Sequence, residues 1–470
     1  MALTLDFVRQ ATTARCLPEE HPAFRGNSVL NGVSTDTRTL TSGALYIALA
    51  GDTFDGHTFL HQAAEAGAAA ALVHRIPDTP PPLPLLLVED TLVALGHLAA
   101  AWRDRIDPLT IGITGSAGKT TVKEMTRLCL MERFGEAVHA TAGNFNNHIG
   151  LPLTILAMPE SCTVLVLEMG MSGPGEIDDL AKIAKPSIGA ITTIAAAHLA
   201  GFENLEGIAR AKAELLENLP ADGHAVIPGN SPFTDLFRSV SPCPTHTFSG
   251  PTLCNGTLDE GEDLHGCHAM GSGHRTQFTL HRRDEEPFPI TLNAMGSHTI
   301  LNALTASEVA RLAGARQEDI QRGLEAFTTP KGRGSLTTTD GGWTVVDDTY
   351  NANPAAVTMA LEGLSYLCDA EQRVVVLGDM LELGPKGSAL HRELATEIRR
   401  QGIARVFTTG PLMAELHEAL QKEHDIQSWH AATPADLIGT ITPELKPGDV
   451  VLVKGSRGMR LEHIVNDLTN

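Results

Sequence analysis

The sequence predicts an α/β protein of three domains: an N-terminal mixed α/β domain (residues 1–107), a central parallel-sheet domain (108–329) and a C-terminal Rossmann-like domain (330–470). Three observations predict it. The chain has 470 residues, about three domains at roughly 150 residues each. Unbroken β-branched runs such as Leu109-Thr-Ile-Gly-Ile-Thr and Val164-Leu-Val-Leu-Glu168 alternate with helical text, the pattern of parallel strands buried on both faces. Those runs end in Gly or polar turns, where doubly wound sheets carry their ligands.

Taken in order, the first unit holds short strands and small helices, among them an Ala-rich helix around His61–Ala71 and the stiff Pro80-Pro-Pro-Leu-Pro84. The second opens at Leu109 with an apolar strand, a Gly-rich turn and a helix, followed by buried strands at Val164–Glu168 and Ile188–Thr193. The stretch Ser231–Pro289 is rich in Pro, Gly, Thr and His and reads as hairpins added to one edge. The third unit starts near Pro330, with strands at Trp343–Asp348, Arg373–Gly378, Arg405–Gly410 and Asp449–Gly455 and helical text between them.

Composition bounds the function. Hydrophobic residues make up 42% and charged residues 19%, enough for each domain to bury a core. The net charge of −21 argues against broad contact with a nucleic-acid backbone or an anionic membrane. A small anionic ligand needs only a local cluster of N–H groups and cations. The N-terminus lacks a basic region followed by an apolar core, and no apolar run reaches the roughly 20 residues of a membrane span. Seven scattered cysteines predict no disulfide framework and a reducing cytoplasm. Cys254, His265, Cys267 and His268 fit no zinc spacing, so no zinc is expected.

The strongest motif is Gly112-Ile-Thr-Gly115-Ser116-Ala-Gly118-Lys119-Thr120-Thr121, between an apolar strand and a helix. Its glycines turn backbone N–H groups toward phosphate oxygens, Lys119 reaches the β/γ-phosphates, and a Thr hydroxyl ligates Mg²⁺. A nucleoside triphosphate site follows. Glu168 and His198 both stand at strand ends, a carboxylate and an imidazole suited to a divalent cation. Lys212, in Arg210-Ala-Lys-Ala-Glu214, reads from spacing alone as a solvated lysine on a charged helix face.

These residues together resemble the Mur ligases, the ATP-dependent amide ligases of peptidoglycan precursor synthesis. Further matches are Thr141–Pro152, Glu168-Met-Gly, Ala197–Phe202, Ala211–Glu214, Gly296–Leu304 and Lys331-Gly-Arg333-Gly. Lys331 is a departure, since many relatives have an apolar residue there. In the last domain, Asp347–Pro354, Gly378–Gly384 and Lys454–Met459 look like the branch that adds D-alanyl-D-alanine to UDP-N-acetylmuramoyl-tripeptide. The resemblance implies a monomeric cytoplasmic enzyme that uses ATP and Mg²⁺ and proceeds through an acyl phosphate. The ligase that adds the third amino acid, or a regulatory P-loop ATPase, remains the alternative.

The resemblance also implies roles. Lys119, Glu168, His198 and Lys212 are catalytic, and Thr120, Glu168, His198 and a carbamate on Lys212 hold metal. Gly115, Ser116, Gly118, Thr120 and Thr121 bind phosphates; Asn302, Asp348 and Tyr350 contact adenosine, and Arg333 meets phosphate. Ser34, Asp36, Arg38, Asp55 and His57 contact the UDP-sugar. Asn144, Asn146 and Asn147 bind substrate, and Asn351, Asn353 and Pro354 shape the amine pocket.

Overall fold

Strands form at the β-branched runs and also where such runs are absent, as at Leu85–Leu87 and Ala70–Val73, and they collect into three sheets. The computed structural model describes residues 3–19, 21–25, 28–195, 202, 204–252, 263–272, 275–294 and 296–469. The first sheet runs Arg15–Leu17, Leu85–Leu87, Ala70–Val73, Leu45–Ile47, Val33–Ser34. All its neighbours are parallel except Arg15–Leu17, which pairs antiparallel with Leu85–Leu87. The expected Ala-rich helix is shorter than its composition implies. It spans Leu60–Glu65, the chain turns at Gly67 (φ 86°), and Ala70–Val73 is a fully buried strand. Alanine fits either element, and here the sheet's need for a central strand overrides helix propensity.

The second sheet has nine strands. From one edge they are Val138–Ala140, Val164–Glu168, Leu109–Thr114, Ile188–Ile191, His224–Pro228 and Thr245–Thr252, all parallel. Leu264–Ser272 continues parallel, and Arg275–Arg282 and Phe288–Leu292 close the edge antiparallel. The hairpin expectation for Ser231–Pro289 is therefore half right. Its first part is a helix, Thr234–Val240, and one more parallel strand. Cys254 lies outside the described residues; Cys267 is disulfide-bonded, while Cys16, Cys129, Cys162, Cys243 and Cys368 are free, so a bridge forms without a disulfide framework.

The third sheet orders as Ser335–Thr338, Thr344–Asp348, Val450–Lys454, Arg373–Gly378, Arg405–Thr409, Gln427–Ala431, parallel but for the first pair. A buried bidentate pair, Arg405 on Asp449 at 2.6 and 2.7 Å, anchors its lower end.

One helix ties the first two sheets. Thr91–Ile106 starts at Asp90, whose carboxylate accepts the N–H groups of Leu92 and Val93, and ends at Asp107 in the left-handed region. Trp102 meets Phe7 edge-on at 5.9 Å on one side and donates to Met158 O at 3.3 Å on the other. The apolar core under the first sheet thus continues into the helices Gly150–Leu156 and Glu176–Ala184 without a break. Among the described residues no helix is long and apolar enough to cross a membrane.

Candidate active site

A cavity of about 490 Å³ lies where the second and third sheets meet. Its polar half begins at the strand Leu109–Thr114, which delivers the chain to Gly115 (φ 153°) and Gly118 (φ 84°) before the helix Lys119–Phe134. Both glycines are obligatory. A Cβ at Gly115 would stand 1.9 Å from Thr192 Oγ1, and one at Gly118 would stand 2.3 Å from Asn302 Oδ1. Ser116 is pinned by its N–H on Thr193 O (2.7 Å) and its hydroxyl on Ala195 O (2.9 Å). The loop is therefore held in shape by the protein's own contacts.

Beside it lies an oxygen cluster. Thr120 Oγ1 donates to Glu168 Oε2 at 2.7 Å, and Asn146 Nδ2 donates to Oε1 at 2.8 Å. Thr141 Oγ1 accepts the Glu168 N–H at 2.9 Å and holds the strand end in place. Glu168 is 2% exposed. Lys119 Nζ reaches Gly115 O at 2.7 Å. Burial pushes the Lys119 ammonium down, with Glu168 opposing and Arg333 reinforcing.

Lys212 corrects the reading taken from spacing. It is 2% exposed, has no ion pair among the described residues, and sits on the inner face of the helix Leu205–Glu217. Burial, reinforced by Lys119, drives its pKa well below the usual lysine value. Glu214, two residues on, faces away and accepts the N–H groups of Gly175 and Asp178 at 2.8 and 3.0 Å. It caps the helix Glu176–Ala184 rather than neutralising Lys212.

The third sheet closes the other side. Lys454 Nζ donates to Asp348 Oδ2 (2.7 Å) and to Asn351 O (2.9 Å). The Arg333 guanidinium lies 3.9 Å from the centroid of the Tyr350 ring. Asn353 accepts the Ala356 N–H at 2.8 Å and caps the helix Pro354–Leu364, with Pro354 at its first position. That helix lends Ala356, Met359, Ala360 and Gly363 to an apolar half of the cavity.

Of the residues singled out in the sequence, Ser116, Gly118, Lys119, Thr120, Thr121, Asn144, Asn146, Asn147, Glu168, Lys212, Asn302, Arg333, Asp348, Tyr350, Asn351 and Asn353 line this one cavity. Gly115 shapes the loop, and Pro354 starts a helix without lining the space. His198 lies outside the described residues. Ser34, Asp36, Arg38, Asp55 and His57 are at the first sheet, outside the cavity lining. There Arg38 forks onto Asp36, whose pKa falls to about 2, and Asp55 accepts from His57 Nδ1 at 2.8 Å and from Arg75. Sequence reasoning assigned no role to His298 and Lys454, which also line the cavity. Both stood inside quoted motifs, but nothing in the sequence sets Lys454 beside Asp348, 106 residues away.

Comparison with known proteins follows the same three-part division. Residues 29–103 match the Mur ligase family catalytic domain, 113–310 the Mur ligase middle domain, and 332–457 the Mur ligase glutamate ligase domain. A UDP-N-acetylmuramoyl-tripeptide–D-alanyl-D-alanine ligase of Bacillus subtilis is 40% identical over 444 residues, 94% of this chain and 93% of that protein. The ligase of that name from Escherichia coli is 34% identical, covering 93% and 94%. A MurF crystal structure from Acinetobacter baumannii superposes with a TM-score of 0.89 at 29% identity, over 100% of this chain and 99% of that one. A MurF ligase from Thermotoga maritima in complex with ADP gives a TM-score of 0.81 at 28% identity, over 93% and 97%. Matched domain by domain and by relatives of its own length, the chain belongs to the Mur ligase family.

Proposed function

We propose that the chain is an ATP-dependent, ADP-forming amide ligase that joins D-alanyl-D-alanine to UDP-N-acetylmuramoyl-tripeptide, in the cytoplasm and as a monomer. One observation carries the reading: a single cavity combines the phosphate loop, the buried Thr120–Glu168 pair, buried Lys212 and the Asp348–Asn353 segment of the third sheet. Relatives at 40% and 34% identity bear that activity in their names. The three domains divide the labour at 1–107, 108–329 and 330–470, with Ser34, Asp36, Arg38, Asp55 and His57 taking the UDP-sugar.

A carboxylate and an amine do not condense unaided, because oxide is too poor a leaving group. The tripeptide carboxylate attacks the γ-phosphorus, ADP departs, and an acyl phosphate forms. The dipeptide amine then attacks the acyl carbon and phosphate leaves. Positioning and charge neutralisation dominate the first step. The loop N–H groups other than that of Ser116 receive phosphate oxygens, Lys119 and Arg333 offset their charge, and Asn302 with Asp348 and Tyr350 hold the adenosine.

The oxygen donors at Thr120 and Glu168 fit a hard divalent cation. Those residues, His198 and a carbamate on Lys212 would hold Mg²⁺, which when bound screens the two anions that must meet. Lys212, buried and without an ion pair among the described residues, favours its neutral amine, the form that adds to CO₂.

The test is a screen for phosphate release, crossing UDP-muramoyl-dipeptide and -tripeptide with D-alanyl-D-alanine and free amino acids. Turnover is expected for the tripeptide with the dipeptide. Turnover only for UDP-muramoyl-dipeptide with a free amino acid would assign the chain to the preceding step. ATP turnover without either substrate would favour a regulatory ATPase. Replacing Lys212 by Ala is expected to remove most activity, with partial recovery in acetate; full activity without acetate would end the carbamate assignment.

A further inference from the structure

Two motifs remain without a role, Gly378–Gly384 and Lys454–Met459. Topology brings them together. The strands Thr344–Asp348, Val450–Lys454 and Arg373–Gly378 are side by side and parallel, so the loops after their C-terminal ends share one rim, the usual place for a ligand. Ser456 ties the three loops. Its N–H donates to Asp379 O at 3.0 Å, its hydroxyl accepts the Leu381 N–H at 2.8 Å, and that hydroxyl donates to Ala352 O at 3.4 Å. His391 Nε2 accepts the Met380 N–H at 2.9 Å and steadies the second loop from below.

On this rim two side chains are exposed and uncommitted. Leu381 is 41% exposed and lies against Gly458. Arg457 is exposed, its guanidinium is 5.2 Å from the Tyr350 ring centroid, and no carboxylate pairs with it among the described residues. The cations that line the cavity are otherwise engaged. Lys454 is paired with Asp348, Lys119 bonds to Gly115 O, Lys212 is buried, and Arg333 lies on the same Tyr350 ring at 3.9 Å, near enough to Lys119 to lower its pKa.

We infer that Arg457, resting on Tyr350, binds the terminal carboxylate of the incoming D-alanyl-D-alanine, with Leu381 beside it for a methyl side chain. The inference rests on the function proposed above and extends it to the residue that selects the far end of the amine substrate. A guanidinium matches a carboxylate with two parallel N–H donors, and stacking on an aromatic ring holds it ready. It also keeps that negative charge away from the phosphate cations, which the reaction needs for itself.

The experiment compares D-alanyl-D-alanine with D-alanyl-D-alaninamide in the intact enzyme, alongside Arg457→Ala and Arg457→Lys. The unaltered enzyme is expected to show a KM at least ~10-fold higher for the amide, since a site built for a charged group rejects an analogue lacking it. In Arg457→Ala the KM for the acid should rise by a similar factor and the preference should fall to about one, with KM for ATP and UDP-tripeptide unchanged. Arg457→Lys should keep part of the preference. An undiminished preference for the acid in Arg457→Ala, or none in the unaltered enzyme, overturns the inference. A fall in kcat that is equal for acid and amide, with the preference intact, also overturns it and marks Arg457 as structural. Failure of the unaltered enzyme to ligate the dipeptide at all would instead overturn the proposed function.

Discussion

Gly118 shows how little room the phosphate loop leaves. Its backbone is in the left-handed region at φ 84°, and Asn302 stands where a Cβ would go. An alanine there would push away either the loop or the side chain expected to read adenine. Misplacement of reacting groups by about 1 Å costs on the order of 100-fold in rate. Gly118→Ala is therefore expected to lower phosphate release by about that factor with an unchanged circular dichroism spectrum. A normal rate would mean that the loop is softer than its contacts imply. Lys212 makes a complementary point at the same scale. Its chemistry comes from where it is buried, since its neighbours in sequence, Arg210 and Glu214, describe a solvated face.

At the scale of elements, helices are held at the site by side chains from other helices. Both carboxylate oxygens of Glu214 accept N–H groups at the start of Glu176–Ala184. Capping bonds of this kind are worth about 1–2 kcal/mol. Glu214→Ala is expected to lose about that much in urea unfolding, and Glu214→Gln, which keeps one acceptor oxygen, less. Equal losses for the two would remove the capping role. The helix Thr91–Ile106 is the second case. Trp102 packs on Phe7 on the side of the first sheet and bonds to Met158 O, just past the end of the helix Gly150–Leu156. Trp102→Ala should cost about 3–5 kcal/mol, as large aromatic truncations do. Because that core runs unbroken from the first sheet into the central helices, those parts should unfold together, while the third sheet has cores of its own. A calorimetric transition of the first sheet apart from the central helices, with Trp102→Ala shifting it alone, would show that the first sheet melts on its own.

For the whole molecule, the buried histidines set the response to acid. Burial holds the pKa of His57, His139 and His391 below the ordinary 6.5. His391 shows why: its Nδ1 faces Gly387 O at 2.7 Å while Nε2 accepts the Met380 N–H, an arrangement that requires the neutral ring. Above pH 6.5 these rings are neutral folded and unfolded. Below it the unfolded chain binds protons first, so stability falls as pH falls. The melting temperature should drop between pH 7 and pH 5. The measurement belongs at high salt, where repulsion from the −21 net charge is screened. A flat or rising melting temperature would contradict the burial argument.

By itself the sequence determined the α/β class, the strands Leu109–Thr114, Val164–Glu168 and Ile188–Ile191 of the second sheet, the central strands of the third, and the phosphate loop with Glu168. These are local signals: β-branched runs, a glycine turn and a helix start lie within a few residues of one another. The family resemblance added Lys212 and the Asp348–Asn353 segment, which no spacing argument would have chosen. Tertiary structure decided the rest. It turned Ala70 and Ala71 from helix to strand, buried Lys212, and placed Val450–Lys454 between Thr344–Asp348 and Arg373–Gly378. That insertion brings Lys454 onto Asp348 across 106 residues of chain and sets Arg457 beside Tyr350. Such pairings follow from which strands pack together once the cores close, and periodicity within a window of sequence holds no record of them.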